Sequence, residues 1–230
     1  MDTPYSVTVL EEVTSTQDVA RAESDENNPV VVIAHRQSQG RGRSGSEWDT
    51  APRAVAVSAA WRWNWAPEQR SLIPLVAGVA ARRTLGESVG LKWPNDVLVG
   101  DRKVAGLLVE LVDDIVVAGM GVNLFWPEPP DSVTGLHSVD PGPEAGPELA
   151  MEWAGWLWAL MEAGEVSWPR QEYVSACVTL GSEVTWDPDG RGRAVDIAAD
   201  GSLIVAGPDG RAITLTAGAV RHVRETSRLE

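Results

Sequence analysis

Gln37-Ser38-Gln39-Gly40-Arg41-Gly42-Arg43-Ser44-Gly45-Ser46-Glu47-Trp48 is the stretch on which the reading of this chain turns. It follows directly on an apolar, β-branched run at 29–34 that reads as a buried strand, so a sheet delivers it. Its glycines leave backbone N–H groups open and let a loop close over a ligand. Two arginines inside such a loop, in a chain with 33 acidic and 19 basic residues, point at an anion.

About fifty residues on comes a second block, Lys92-Trp93-Pro94-Asn95-Asp96, running into Arg102-Lys103-Val104-Ala105-Gly106. Pro94 fixes its own φ and restricts Trp93, so Asn95 and Asp96 take defined directions. A turn entering a strand also favours Asn and Asp, and for Asp96 alone the two readings weigh equally. Lys103 beside Gly106, on a strand that otherwise reads Val-Ala-Gly-Leu-Leu-Val, suggests a cation facing a cleft. Taken together, the two blocks describe a site where a carboxylate and a nucleotide phosphate lie side by side.

Further out, 6–10 reads as a strand, and Thr14 or Ser15 caps a helix to about Glu23. Residues 54–65 alternate, with Val55, Val57, Ala59, Trp61, Trp63 and Trp65 on one face. Pro67 opens a helix carrying Leu72, Leu75, Val76, Val79 and Ala80 at helical spacing. Residues 96–99 and 103–111 form a hairpin around Gly100-Asp101. A strand at 115–118 ends in Gly119-Met120-Gly121-Val122-Asn123. The Pro-, Gly- and Glu-rich stretch 127–148 reads as a mobile loop. A helix over 149–161 places Trp153, Trp156, Leu157, Leu160 and Met161 on one face, and 169–180 reads as the last helix. Beyond Gly181, short strands at 184–186, 194–197, 203–205 and 213–215 are punctuated by Asp189-Gly190, Asp200-Gly201 and Asp209-Gly210. That spacing describes a small antiparallel barrel. The expected division is 1–177 and 178–230.

Composition limits the function classes. An apolar content of 43% supports a real core. A net charge of −14 argues against nonspecific nucleic-acid binding and against docking on anionic lipid. The lone Cys177 cannot form an internal disulfide, which fits a reducing cytoplasm. No signal peptide is visible, and no run approaches the roughly 20 apolar residues of a membrane helix. His35, His137 and His222 are scattered and lack zinc-ligand spacing.

Gly-Arg-Gly-Arg occurs twice, at 40–43 and 190–193. The second copy reads as a solvated hairpin turn, so these four letters mean little without context. Gly119-x-Gly121 alone is weak, and no helix with a third glycine follows to make a dinucleotide fingerprint. The tryptophan stripes read as core. Ser15-Thr16-Gln17 either caps a helix or presents hydroxyls and amides to a small polar ligand.

These blocks resemble the bacterial biotin protein ligases. The likeness rests on Ser15-Thr16-Gln17, on Gln37 with Gly40-Arg41-Gly42-Arg43-x-Gly45-x-x-Trp48, on Lys92-Trp93-Pro94-Asn95-Asp96, on Lys103-Val-Ala-Gly106-Leu-Leu-Val-Glu110, on Gly119-Met-Gly121-Val-Asn123 and on Tyr173-x3-Cys177-x-Thr179-Leu180-Gly181. It covers nearly the whole chain in order. Relatives carry more arginine where this chain has Ser44 and Ser46, and a small residue at Gln39. The resemblance implies an α+β fold: a mixed sheet with helices, of the class II synthetase-like kind, plus an SH3-like C-terminal barrel. It implies that biotin and MgATP give biotinyl-5′-AMP and pyrophosphate, and that a lysine of a biotin carrier domain then attacks the mixed anhydride. By the same resemblance Ser15, Thr16 and Gln37, with Gln17 adjoining, hold the ureido ring. Gly40, Arg41, Gly42 and Arg43 form the loop over carboxylate and phosphate, and Gly106 lies in the same site. Trp48 stacks on adenine, and Lys103 contacts carboxyl and α-phosphate oxygens. Asn95, Asp96 and Asn123 serve the nucleotide, with Asp96 a candidate magnesium ligand and lysine-activating group; Arg43, Lys103 and Asp96 carry the catalysis. With only fourteen residues before Ser15, the form without a DNA-binding domain is expected, and a monomer or homodimer is the expected assembly. The alternatives are a lipoate or octanoate ligase or transferase, a non-catalytic biotin- or nucleotide-binding regulator, and a purely structural module.

Overall fold

Two sheets organise the chain in the computed structural model, which describes residues 4–24, 28–43, 48, 50–62, 65–216 and 224–225. The elements run β1 (Ser6–Val13), α1 (Thr16–Glu23), β2 (Val30–Gln37), β3 (Arg53–Arg62), a 3₁₀ turn (Pro67–Leu72), α2 (Ile73–Leu85), β4 (Val89–Lys92), β5 (Asp96–Val99), β6 (Arg102–Val112), β7 (Ile115–Phe125), α3 (Ala145–Glu162) and α4 (Arg170–Ala176). The second sheet follows with β8 (Glu183–Trp186), β9 (Gly190–Ile197), β10 (Leu203–Ala206), β11 (Ala212–Leu215) and β12 (Arg224–Glu225).

The large sheet has the order β1-β2-β3-β7-β6-β5-β4. Only its β1–β2 pair is parallel; the remaining neighbours are antiparallel. Its two faces do different work because side chains alternate along a strand. Odd positions of β3 (Val55, Val57, Ala59, Trp61) join Leu75, Val76 and Val79 of α2 and Trp153 and Leu157 of α3 in the main core. Buried indole N–H groups tie that layer down: Trp153 donates to Ala77 O at 3.2 Å and Trp65 to Met161 O at 3.2 Å. On the opposite face α1 covers only part of the sheet, packing Ala20 against Val30, Val32, Ala60 and Val117. The uncovered remainder of that face, over β3, β7 and β6, is where a ligand has room.

Several sequence expectations need correction. Pro67 opens a 3₁₀ turn, and the α-helix proper begins at Ile73. Trp156 is 40% exposed, off the buried stripe of Trp153, Leu157, Leu160 and Met161. The Arg83 guanidinium covers its ring at 5.0 Å. Trp63 lies outside the described residues. The last helix stops at Ala176 because Val178 leaves it to donate to Leu91 O, at 3.0 Å, on the free edge of β4. The stretch expected to be a mobile loop carries the start of α3 and, over 130–137, a strap hydrogen-bonded to β6 and β7. His137, at the end of that strap, is exposed.

The small sheet has the order β11-β10-β9-β8-β12, antiparallel throughout. β8 to β11 follow one another as a meander and β12 returns beside β8, an arrangement compatible with the expected SH3-like unit; among the described residues its end strands β11 and β12 do not pair, so closure into a barrel is not shown. It is joined to the large sheet by polar contacts: Trp93 Nε1 donates to Gly201 O (3.0 Å), Ser71 Oγ to Asp200 O (2.7 Å), and Arg170 pairs with Asp196 (2.7 Å). Val184, Ile197, Leu203 and Val205 share the main core. Among the described residues no helix is long and apolar enough to cross a membrane.

Candidate functional site

Strand register assembles the floor of the site. Two rows cross the sheet on the face that α1 leaves open. One runs Ala56–Gly121–Gly106–Asp96, the other Ser58–Gly119–Leu108. Five of these seven positions carry a methyl, a hydroxymethyl or no side chain, so the floor is flat. Glycine inside a strand is costly unless something approaches the backbone closely, and here something does. A Cβ on Gly106 would come within 2.6 Å of the Trp48 indole, and one on Gly121 within 3.0 Å. The walls are α1, the Gly-Arg loop and the β5–β6 hairpin, enclosing a cavity of about 200 Å³.

The inner end of the cavity is polar and tightly wired. Thr16 donates through its backbone N–H (2.8 Å) and its hydroxyl (3.1 Å) to Gln37 Oε1. With the Thr16 proton committed, Ser58 is the donor in the 2.8 Å contact between the two hydroxyls. Gln17 Nε2 donates to Leu108 O at 2.9 Å. That bond fixes the amide orientation and leaves Gln17 Oε1 buried with no hydrogen-bond partner. Such an orphan acceptor costs about 1–3 kcal/mol. Ser15 stands at the N-cap of α1 and is 2% exposed, but its hydroxyl makes no capping bond. The hydroxyls and amides of Ser15-Thr16-Gln17 are therefore largely arranged toward the cavity, and the capping reading falls.

The outer end is charged. Lys103 Nζ lies 2.6 Å from Asp96 Oδ1 and 5.0 Å from the centre of the Trp48 ring. Half-buried Arg43 has its guanidinium pKa lowered by desolvation, with the Asp96 charge acting the other way. Asn95 Nδ2 donates to Leu107 O at 3.0 Å, holding the turn against β6.

Of the residues singled out from sequence, Ser15, Thr16, Gln17, Gln37, Arg41, Gly42, Arg43, Trp48, Asn95, Asp96, Lys103 and Gly106 all border this one cavity. Gly40 and Asn123 do not. Gly40 underlies the loop, where an added Cβ would press on Gln37 Nε2 at 3.2 Å. Asn123 is 1% exposed, and its Oδ1 accepts the Ala51 N–H at 3.1 Å. Arg41 borders the cavity, yet its guanidinium is engaged elsewhere. It makes two 2.8 Å bonds to Asp18 on α1 and lies 3.6 Å from Glu110. Gly45, Ser44 and Ser46 lie outside the described residues. Sequence reading missed Ser58, Ala56, Leu108 and the role of the Gly119/Gly121 pair. A hydroxyl in the middle of an apolar strand was the available signal for Ser58.

Cys177 is buried, and burial pushes its thiol pKa up. It is no nucleophile, and among the described residues the cavity contains no His–Asp arrangement to activate a serine.

Residues 9–124 match the sequence profile of the biotin/lipoate A/B protein ligase family. The chain belongs to that family. Every residue bordering the cavity, from Ser15 to Gly121, falls within the matched span. Among curated proteins it is similar to a biotin–[acetyl-CoA-carboxylase] ligase of Mycobacterium tuberculosis, 31% identical over 90% of this chain and 84% of that protein. It is also similar to the corresponding ligase of Paracoccus denitrificans, 32% identical over 79% of this chain and 86% of that one. Among solved structures, biotin protein ligase from Aquifex aeolicus in complex with biotin and ATP superposes with a TM-score of 0.81 at 25% identity, covering 96% of this chain and 99% of that one. Membership of the biotin/lipoate ligase family agrees with a cavity that is polar at one end and cationic at the other.

Proposed function

We propose that this protein is an ATP-dependent biotin–[acetyl-CoA-carboxylase] ligase, which activates biotin as biotinyl-5′-AMP and transfers it to a lysine of a biotin carrier domain. The orphan Gln17 Oε1 favours biotin over lipoate. A ureido ring offers two N–H donors and a carbonyl to a pocket holding an unused acceptor and hydroxyls. A dithiolane ring offers neither and would leave that acceptor unpaired, at the cost given above.

In the first step a biotin carboxylate oxygen attacks the α-phosphorus of ATP. A new P–O bond forms, the bond to the β-phosphate oxygen breaks, and pyrophosphate leaves. Four anionic groups must converge, so positioning and cationic stabilisation carry the catalysis. Lys103 and Arg43 supply charge at the outer end, and Trp48 offers an indole for the base to stack on. Arg41 contributes by tying the loop to α1. In the second step the carrier lysine, as the free amine, attacks the acyl carbon. The C–O bond to AMP breaks, AMP leaves, and the nitrogen loses a proton, for which Asp96 is the nearby carboxylate. Among the described residues no three His, Cys, Asp or Glu side chains are gathered to hold a metal. Asp96 is the residue that would hold a magnesium ion arriving with ATP, since Mg²⁺ commonly needs only one or two protein carboxylates. When bound it neutralises phosphate charge. We assign 1–177 to this chemistry and 178–230 to an accessory SH3-like unit.

The decisive experiment supplies labelled biotin or lipoate with ATP and a purified carrier domain while following pyrophosphate. Biotin-dependent pyrophosphate release with label on the carrier is the expected result. Transfer of lipoate alone would point to the sister activity, and ligand binding without pyrophosphate to a regulator.

A further inference from the structure

We propose that the strap at 130–137 positions the active-site lysine by holding open a β-bulge at Val104; the inference rests on the ligase reading above. Across β5 and β6 the partners are Asp96–Gly106 and Val97–Ala105, then Leu98–Lys103 and Val99–Arg102. Val104 has no opposite number. In an unbroken strand, residues three apart lie on opposite faces. Lys103 would then point into the helical layer while Gly106 faced the cavity. The extra residue changes the phase. Val104 and Ala105 are consecutive and both 0% exposed, facing the core together, and Lys103 comes round to the cavity face beside Asp96 and Trp48.

A bulge disrupts the ladder locally and leaves the backbone beside it less firmly held. The strap fixes that neighbouring backbone at Lys103. Lys103 N–H donates to Ser132 O, and Lys103 O accepts from Thr134 N–H, both at 2.9 Å. The strap is itself hooked to the end of β7, where Leu136 N–H donates to Asn123 O and His137 N–H to Leu124 O, each at 2.8 Å. Its approach is close: a Cβ on Gly135 would lie 2.7 Å from Trp126 N and 3.0 Å from Phe125 Cα. Beyond it, Arg53 holds Asp140 through two 3.0 Å bonds. Apart from Lys103, none of these residues borders the cavity. They act through the direction of one ammonium group, which makes Thr134 and Gly135 positioning residues.

Thr134→Pro removes the N–H that Lys103 O accepts. Per active molecule, biotin-dependent pyrophosphate release should fall roughly 10- to 100-fold, the scale of an ångström-sized misplacement. The KM for biotin should hold, because the inner end is untouched. Thr134→Ala keeps the N–H and should restore the rate. In a Lys103→Ala background, Thr134→Pro should cost less than about twofold more, since the strap then has nothing to aim. An undiminished rate, or an equal loss without Lys103, overturns the proposal. Should Thr134→Pro fail to fold, Gly135→Ala is read by the same cycle. Hydrogen exchange in the unmodified protein tests the strap independently: the Lys103 amide should be protected, and exchange at the rate of an exposed loop overturns the proposal. A wild-type protein releasing no biotin-dependent pyrophosphate would instead sink the ligase reading, with hydrogen exchange still deciding whether the strap holds Lys103.

Discussion

The two Gly-Arg-Gly-Arg segments share four letters and almost nothing else. At 40–43 they form a loop whose glycines give the backbone room over a cavity. One arginine is latched to α1 through Asp18 and the other is half-buried near Asp96. At 190–193 they open β9, and the expected solvated turn is confined to 187–189. There the glycines serve packing. A Cβ at Gly190 would collide with the Trp186 indole, and one at Gly192 would lie 2.4 Å from Ala206 O. Arg191 and Arg193 alternate with these glycines and face solvent. The same tetrapeptide is chemistry in one place and sheet geometry in the other, and the surroundings decide which.

Substitutions can break or sharpen that contrast. Removing the cation that the first segment faces has the largest effect. Lys103→Ala should lower kcat for adenylate formation by about 10²- to 10³-fold, whereas Arg191→Ala should change it less than about twofold; stopped pyrophosphate assays compare them. Next come the matched arginines. Arg43→Gly should speed release of preformed biotinyl-5′-AMP by about 10- to 100-fold, as expected for one charge-assisted hydrogen bond worth about 1.5–3 kcal/mol. Arg193→Gly should leave release unchanged. Release from Arg43→Gly at the wild-type rate would contradict the role of the loop.

Glycines supply a third pair. Gly192→Ala should lower stability by about 1–3 kcal/mol through overpacking, leaving activity per folded molecule intact. Gly121→Ala should displace Trp48 and raise the KM for ATP with a smaller change in melting temperature. The smallest effect belongs to the latch. Arg41→Ala should cost about 0.2–1 kcal/mol, since the pair is partly exposed and salt-screened. Its hydrogen bond and charge hold the Asp18 carboxyl below its ordinary value. A depressed carboxylate stabilises the fold above its unfolded pKa and loses that contribution as pH falls through the folded one. Denaturation of wild type and Arg41→Ala should therefore converge in acid, below the usual carboxylate range, and differ at neutral pH.

Much of this was legible beforehand, where local chemistry sufficed. The buried run before the loop, the Asp-Gly turns of the small sheet and the cationic loop and hairpin blocks could be read from residue type and spacing, while the places of Ser15, Gln37 and Trp48 in the site followed from the family resemblance. What escaped depended on partners distant in the chain. Ser58 looked like one polar residue in a strand until Thr16 arrived on α1. Gly119-x-Gly121 looked like a strand end until register set it beside Leu108 and Gly106. The 127–148 stretch has the composition of a loop, and its hydrogen bonds to Lys103 and Leu124 depend on the sheet it lies against. The helix expected through Leu180 ended early because an unpaired edge at Leu91 competed for its backbone. Arg41 and Asn123 bear on the site through other protein groups, which motif matching does not separate from contact with a ligand.

The indole of Trp93 is 1% exposed, and its single proton rests on the carbonyl of Gly201, across the seam between the two sheets. Trimming the chain after α4 would remove that acceptor, one residue before the proline that leads into Asn95 and Asp96, and would strip Val184, Ile197, Leu203 and Val205 from the shared core. The C-terminal sheet thus acts as a counterweight to the turn that carries Asp96, and a shortened chain would be expected to lose the aim of that carboxylate together with stability.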